Sequence, residues 1–164
     1  MFEIKNSLIH GLGVFATRNI PAGTPICQYN GDELSYEDAW TRTQLDPSAG
    51  VSMFDLQNGF MVDGASPSNN GSYRINHSCS PNATCILVRD ATSTTGILIC
   101  ALRNISKGDE ITYDYSLQVT SGTEFTTHKC YCGSSTCYGT MSGNQLIRDK
   151  SRKLFISNLT QRSK

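Results

Sequence analysis

The sequence predicts one mainly β domain with two short helices, on three observations. Short β-branched and aromatic blocks recur between turn signals. Helical periodicity is confined to two stretches. The 164 residues, 38% apolar and 17% charged, fit one folded domain with its own core. The strand-like blocks fall at residues 14–16, 25–29, 53–56, 60–62, 84–88 and 96–102. Residues 111–115 alternate as a further strand would. The strings Ile20-Pro21-Ala22-Gly23-Thr24 and Ile105-Ser106-Lys107-Gly108-Asp109 repeat one turn signal, each ahead of a strand, and Asn58-Gly59 reads as a hairpin turn. Ser35 is placed to cap a helix running from Tyr36 to Trp40, with Asp38 as the acid of a capping box. The second helix is predicted after Gly143, where Leu146, Ile147, Leu154, Phe155 and Leu159 share a face. Residues 64–72, rich in Gly, Ser and Asn, form a loop. No internal repeat and no second domain are indicated.

Composition narrows the classes of function. No stretch approaches the ~20 apolar residues of a membrane-spanning helix. The start, Met1-Phe2-Glu3-Ile4-Lys5, has no basic region followed by an apolar run, so no secretory leader is expected. Seven cysteines, an odd number at uneven spacing, argue against a secreted disulfide scaffold. Cys27, Cys85 and Cys100 lie in apolar blocks and are expected as buried free thiols, which places the protein in a reducing, intracellular compartment, nuclear or cytoplasmic. Net charge is zero, but it is divided. Residues 142–164 carry six basic side chains against one acidic (+5), and residues 1–141 carry eight against thirteen (−5). An acidic body attracts cationic partners, although a solvated surface and a solvated terminal helix explain the same split.

Four segments carry the chemistry. His10-Gly11-Leu12-Gly13 is by itself a tight turn, and it lacks the third glycine and following helix of a dinucleotide fingerprint. Bare glycine backbone can also lie close against a ligand. Asn76-His77-Ser78-Cys79-Ser80-Pro81-Asn82 offers amide and imidazole groups that can hold a purine and a ribose; a lone Asn-His pair would more often be a turn or a satisfied core pair. Ile111-Thr112-Tyr113-Asp114-Tyr115 could be a strand with two packed tyrosines. Cys130-Tyr131-Cys132 with Cys137 puts three thiols within eight residues. A tetrahedral soft-metal site needs a fourth ligand, for which Cys79 is the candidate; a redox pair or an inert loop are the alternatives.

Together and in this order, the four segments resemble the SET-domain family of protein-lysine methyltransferases. The resemblance implies a fold of several small twisted sheets with a pseudoknot-like core over residues 4–116. It also implies a post-SET zinc segment at 126–142, followed by a basic tail, helical by its pattern, at 143–164. It implies S-adenosylmethionine bound by His10, Gly11, Leu12, Gly13, Arg74, Asn76, His77 and Tyr115. The family usually has Arg-Phe just before this motif, whereas here Tyr73-Arg74-Ile75 precedes Asn76 and the Arg is displaced by one. Zinc would be held by Cys79, Cys130, Cys132 and Cys137. Tyr115 matches the family's catalytic tyrosine, Tyr29 a second aromatic of the lysine channel, and Tyr113 the position that tunes how many methyl groups a lysine accepts. Tyr113 implies mainly mono-methylation with some di-methylation, and Cys85 is expected near the same region. The chain starts almost at the first SET strand, so the family's pre-SET cysteine cluster is not expected.

The expected activity is methyl transfer to a lysine of a basic protein or peptide, with histone tails the commonest family target. An inactive SET domain serving as a protein-binding module is the alternative from another class. A zinc-dependent nucleic-acid binder would need base-stacking aromatics among the basic tail residues, and only Phe155 is available there. Nucleic acid is therefore not expected as a direct ligand.

Overall fold

Strand pairing organises the chain into three small sheets, seen in a computed structural model that describes residues 1–117, 128–149 and 151. The strands are β1 (Phe2–Asn6), β2 (Leu12–Ala16), β3 (Pro25–Gln28), β4 (Asp32–Ser35), β5 (Met53–Asp55), β6 (Phe60–Asp63), β7 (Asn76–His77), β8 (Ala83–Arg89), β9 (Thr94–Ala101) and β10 (Glu110–Tyr113). One sheet runs in the order β1-β2-β10-β7, a second β3-β9-β8 and a third β4-β6-β5. All pairings between these strands are antiparallel except β7 on β10, where Thr112 lies opposite Asn76 and Tyr113 opposite His77. That parallel pair brings the two most informative sequence strings side by side.

The two repeated turn signals pair with each other. Ile20 and Ile105 form an antiparallel bridge, with N–H to carbonyl distances of 2.8 and 2.9 Å in the two directions. Gly23 and Gly108 follow at φ +78° and +92°, the left-handed region that a Cβ disfavours. Helix α1 (Tyr36–Leu45) starts at the expected cap: the Ser35 hydroxyl oxygen accepts from the Asp38 N–H at 3.1 Å and donates to the Asp38 carboxylate at 2.7 Å. It runs one and a half turns past Trp40, the last residue expected in it. A 3₁₀ turn, Pro47–Ser52, follows directly.

The core lies where the sheets meet. Val14, Ile20, Leu56, Ile75, Ile97, Ile99, Ile105 and Ile111 are all essentially inaccessible to solvent. Each such side chain contributes roughly 1.5–3 kcal/mol by leaving water. Cys27, Cys85 and Cys100 are free thiols, as expected. Only Cys100 is fully buried; Cys27 and Cys85 sit opposite Ile99 in the β3-β9-β8 sheet and are half-buried. The predicted strand at 111–115 ends at Tyr113. Asp114 turns the chain by accepting the Ser116 N–H at 2.9 Å, and Ser116 adopts φ +46°. Residues 145–149 are helical, and the Asn144 side chain caps them by accepting from Leu146 and Ile147 N–H groups. Leu154, Phe155 and Leu159, assigned to the same helix, lie outside the described residues.

Candidate active site

Asn76 and His77 are fixed first by backbone. The β7–β10 pairing is extended by a bond from Ser78 N–H to the Tyr113 carbonyl at 3.0 Å. Asn82 then staples the end of the motif to β10: its amide donates to the Glu110 carbonyl and accepts from the Thr112 N–H, both at 2.8 Å. The Pro81-Asn82 turn thereby folds the motif back over the strand that leads to Tyr115.

The side chains interlock with the first motif. Asn76 Nδ2 lies 3.1 Å from the His10 carbonyl, 3.2 Å from the Leu12 carbonyl and 2.8 Å from Glu110 Oε1. Glu110 also accepts from the Ser7 hydroxyl at 2.8 and 2.9 Å. The His10–Leu12 turn is thus anchored to β7 and β10. Gly11 takes φ +48° with no atom within 4 Å of a notional Cβ. Gly13 differs, because a Cβ there would run into Glu110 Oε1 and lie 2.9 Å from both Glu110 Cδ and Ser7 Cβ.

A cleft of about 670 Å³ opens beside these residues, within the range of small-molecule sites. His10, Gly11, Leu12, Arg74, Asn76, His77 and Tyr115 line it, as do residues of the 3₁₀ turn and Lys129, Tyr131 and Met141 from the cysteine-rich segment. Arg74 stacks on the Tyr73 ring at 4.7 Å. Gly13, Tyr29 and Tyr113 are not among the lining residues. Gly13 faces Glu110 instead, while Tyr29 and Tyr113 belong to an adjoining aromatic group. That group runs from Tyr29 to Phe54 (ring centroids 4.7 Å apart), Phe54 to Tyr113 (5.8 Å) and Tyr113 to Tyr115 (4.9 Å). Tyr115 belongs to both cleft and cluster.

Two hydroxyls in this group have committed their protons. Tyr115 Oη donates to the Ile75 carbonyl at 2.7 Å, and Tyr29 Oη to the Ser52 carbonyl at 2.6 Å. Each therefore has acceptor lone pairs left to offer a ligand. Burial pushes the Tyr29, Tyr113 and Tyr115 phenols above their ordinary range, so all three stay neutral. His77 accepts the Tyr115 N–H at Nδ1 (3.1 Å), which puts its own proton on Nε2, 3.4 Å from Cys79 Sγ. Loss of hydration holds His77 down to about 4 against the opposing pull of Asp114, so the ring is neutral at physiological pH.

The four motif cysteines converge. Their sulfurs all lie within 4.8 Å of one another, with Cys79 3.7 Å from Cys130 and 3.9 Å from Cys137. These separations are far beyond a disulfide bond. The N–H groups of Cys132, Tyr138 and Gly139 point at Cys130, Cys79 and Cys137 sulfurs at 3.4, 3.4 and 3.2 Å, which favours thiolates. Four soft donors at this spacing could hold a tetrahedral metal ion.

Sequence reasoning missed several residues that build this site. Glu110, Asn82, Ser52, Phe54 and the pair Asp114–Arg148 act through contacts between distant positions. Asn82 and Asp114 stood inside the motif strings and Phe54 in a strand-like block, but nothing in the sequence announced their contacts; Glu110, Ser52 and Arg148 had no visible signal.

The family profile described as the SET domain matches residues 11–116. Among curated proteins, a histone-lysine N-methyltransferase, H3 lysine-4 specific, of Chaetomium globosum is 30% identical over 140 residues, covering 84% of this chain and 13% of its own length. The histone-lysine N-methyltransferase trithorax of Drosophila virilis is 35% identical over 136 residues, covering 82% of this chain and 3% of its own length. The chain thus spans a small part of each of these relatives. Among solved structures, the Neurospora SET domain protein DIM-5, a histone lysine methyltransferase, superposes with a TM-score of 0.64 at 26% identity, over 75% of this chain and 55% of that one.

Proposed function

The chain belongs to the SET-domain family, and from that premise we propose that it is a protein-lysine N-methyltransferase using S-adenosylmethionine. The observation that carries this is the double membership of Tyr115: it lines the cleft and joins the aromatic cluster of Tyr29, Phe54 and Tyr113. A cofactor side and a substrate side that meet at one hydroxyl suit a direct transfer between two bound molecules. S-adenosylmethionine, when bound, supplies an electrophilic methyl group on a sulfonium.

The chain's own residues supply the rest. Free lysine has a pKa of about 10.4, and the reacting form is the neutral amine. An aromatic enclosure excludes water and disfavours the ammonium, and it holds the side chain in one line of approach. The hydroxyl oxygens of Tyr29 and Tyr115, with their protons committed to Ser52 and Ile75, accept from amine N–H groups and from polarised C–H groups. No covalent protein intermediate is required. Gly11, Arg74, Asn76 and His77 are the residues suited to hold the cofactor; Asn76 does so through the turn that its side chain anchors.

Zinc fits the cysteine cluster. Zn–S bonds of about 2.3 Å give a tetrahedron with S···S edges of about 3.8 Å, close to the separations of Cys79 from Cys130 and Cys137. Such an ion would tie residues 130–137 to the end of the Asn76–Cys79 string and so hold Lys129, Tyr131 and Met141 at the cleft wall. The substrate we infer is a basic protein such as a histone, in keeping with the acidic body and with the names of the relatives. A histone substrate would place the protein in the nucleus. Among the described residues no helix is long and apolar enough to cross a membrane.

Incubation with labelled S-adenosylmethionine and a panel of basic proteins, followed by mass spectrometry of the labelled residue, tests the proposal. Label on a lysine supports it. Cofactor-dependent thermal stabilisation with no label on any substrate would favour the inactive binding module.

A further inference from the structure

Beyond the cysteine cluster, the basic tail begins with a residue that is not solvated. Arg148 is only 12% exposed at its side chain and forms a two-pronged ion pair with Asp114, 2.7 Å to each carboxylate oxygen. Its Nε donates to the Ser142 carbonyl, and its guanidinium stacks on the Tyr138 ring at 5.0 Å. One planar group therefore grips three things: Asp114, the residue before Tyr115; the backbone just after the cysteine segment; and the aromatic that follows Cys137.

The surrounding backbone makes the same junction. Leu117 N–H donates to the Met141 carbonyl at 3.1 Å, and Gly143 N–H donates to the Leu117 carbonyl at 2.9 Å. A Cβ on Gly143 would lie 2.6 Å from the Ser116 carbonyl oxygen, so the two segments touch without a gap. Met141, Tyr131 and Lys129 of this segment line the cleft. Asp114 itself is half-buried: Oδ1 accepts from Ser116 N–H and lies 3.7 Å from His77 Nδ1.

We propose that Arg148 is a positioning residue, a latch that holds the cleft wall formed by the cysteine-rich segment against the strand end bearing Tyr115. The geometry suits the task. A guanidinium fork and a carboxylate make two parallel bonds that fix both distance and orientation, which a lysine cannot reproduce. The Ser142 carbonyl that Arg148 Nε reaches belongs to a residue almost wholly shielded from solvent. The latch is separate from the cysteine cluster, since Arg148 touches the segment at Tyr138 and Ser142 and contacts no cysteine sulfur. The inference rests on the proposed cofactor site, but its test does not need turnover.

The full chain and its Arg148→Lys, Arg148→Ala, Asp114→Asn and doubly substituted Asp114→Asn/Arg148→Ala variants would be loaded with zinc. Binding of S-adenosylhomocysteine would be measured by calorimetry well below each variant's melting temperature, beside zinc content and methyl-transfer kinetics. We expect Arg148→Ala to weaken S-adenosylhomocysteine binding between about threefold and thirtyfold with zinc content unchanged. Arg148→Lys should recover only part of the loss, and the double variant should bind no worse than the weaker single one. Binding unchanged within about threefold, or weakened only in step with lost zinc, would overturn the latch. Weakened binding by the variants in a protein that methylates nothing would leave the latch standing and remove the proposed activity instead.

Discussion

Replacing Gly13 and Gly11 one at a time separates two roles that their sequence string does not distinguish. At Gly13 an added Cβ would meet the Glu110 carboxylate and lie 2.9 Å from Ser7 Cβ. Restoring van der Waals distance requires the carboxylate to move by about 1 Å. That displacement breaks the bonds Glu110 makes to Ser7 at 2.8 and 2.9 Å and to Asn76 at 2.8 Å. A hydrogen bond to a charged group contributes about 1.5–3 kcal/mol, and water recovers part of it at this half-buried position. Gly13→Ala should therefore cost about 2–4 kcal/mol of stability and weaken cofactor binding through the loosened turn. At Gly11 there is open space, and the φ of +48° costs a residue with a Cβ about 1 kcal/mol. Gly11→Ala should lower stability by only about 1 kcal/mol, less than Gly13→Ala, but obstruct the cleft it lines. Urea unfolding followed by circular dichroism, with calorimetric titration of S-adenosylhomocysteine, reads both quantities. A Gly13→Ala protein within 0.5 kcal/mol of the parent, with parental affinity, would refute the argument that Glu110 organises the turn.

Three further outcomes are expected. Elemental analysis should find about one zinc per chain, and Cys79→Ser should release it; a fully active, zinc-free protein would contradict the cluster's assignment. Mass spectrometry of a single-lysine peptide at high conversion should show mainly mono-methyl-lysine, and Tyr113→Phe should move the product towards higher methylation; abundant tri-methylation by the parent enzyme would contradict this. Stability should fall steeply on the alkaline side. Burial raises Cys27 from 9.0 to about 11 and Cys85 from 9.0 to about 12, and lifts Tyr29, Tyr113 and Tyr115 above 10.0. The unfolded chain then releases protons that the folded chain retains, so stability is intact below pH 9 and declines above it, more steeply past pH 10. A flat urea midpoint from pH 8 to 11 would contradict that burial.

The parts of this fold that could be read from the sequence are those with local periodicity or a rigid string. The blocks that became β2, β3, β5, β6, β8, β9 and β10 alternate or are β-branched because one face meets the core. β1 was missed because it is an edge strand, mostly exposed, whose Glu3 and Lys5 pair with each other at the surface and give no apolar alternation to read. β4 was missed because Asp32-Glu33-Leu34-Ser35 has turn-like composition and is held by pairing with β6 alone. The Asn76–Cys79 string and the cysteine spacing were legible because they are compact, chemically distinctive strings, and the four cysteines converge in the structure. Glu110 was not, since nothing near it in sequence announces its bonds to Ser7 and Asn76, 103 and 34 residues away. Arg148 was counted with a solvated basic tail for the same reason: its partner Asp114 is 34 residues distant. The φ of +48° at Gly11 fits the turn read there, whereas the closeness of Gly13 to Glu110 is a packing fact that no residue count exposes.

The central claim is that the Tyr115 hydroxyl stands where cofactor and lysine meet. Its most direct test is a comparison of the parent with Tyr115→Phe, measuring turnover on a methyl-accepting basic peptide beside S-adenosylhomocysteine affinity and thermal stability. The substitution removes one oxygen and leaves the Ile75 carbonyl without its partner, a stability cost of about 1–3 kcal/mol. The account predicts a folded protein that keeps most of its cofactor affinity and loses turnover by about 10²–10³-fold. A folded Tyr115→Phe protein with parental turnover would contradict it.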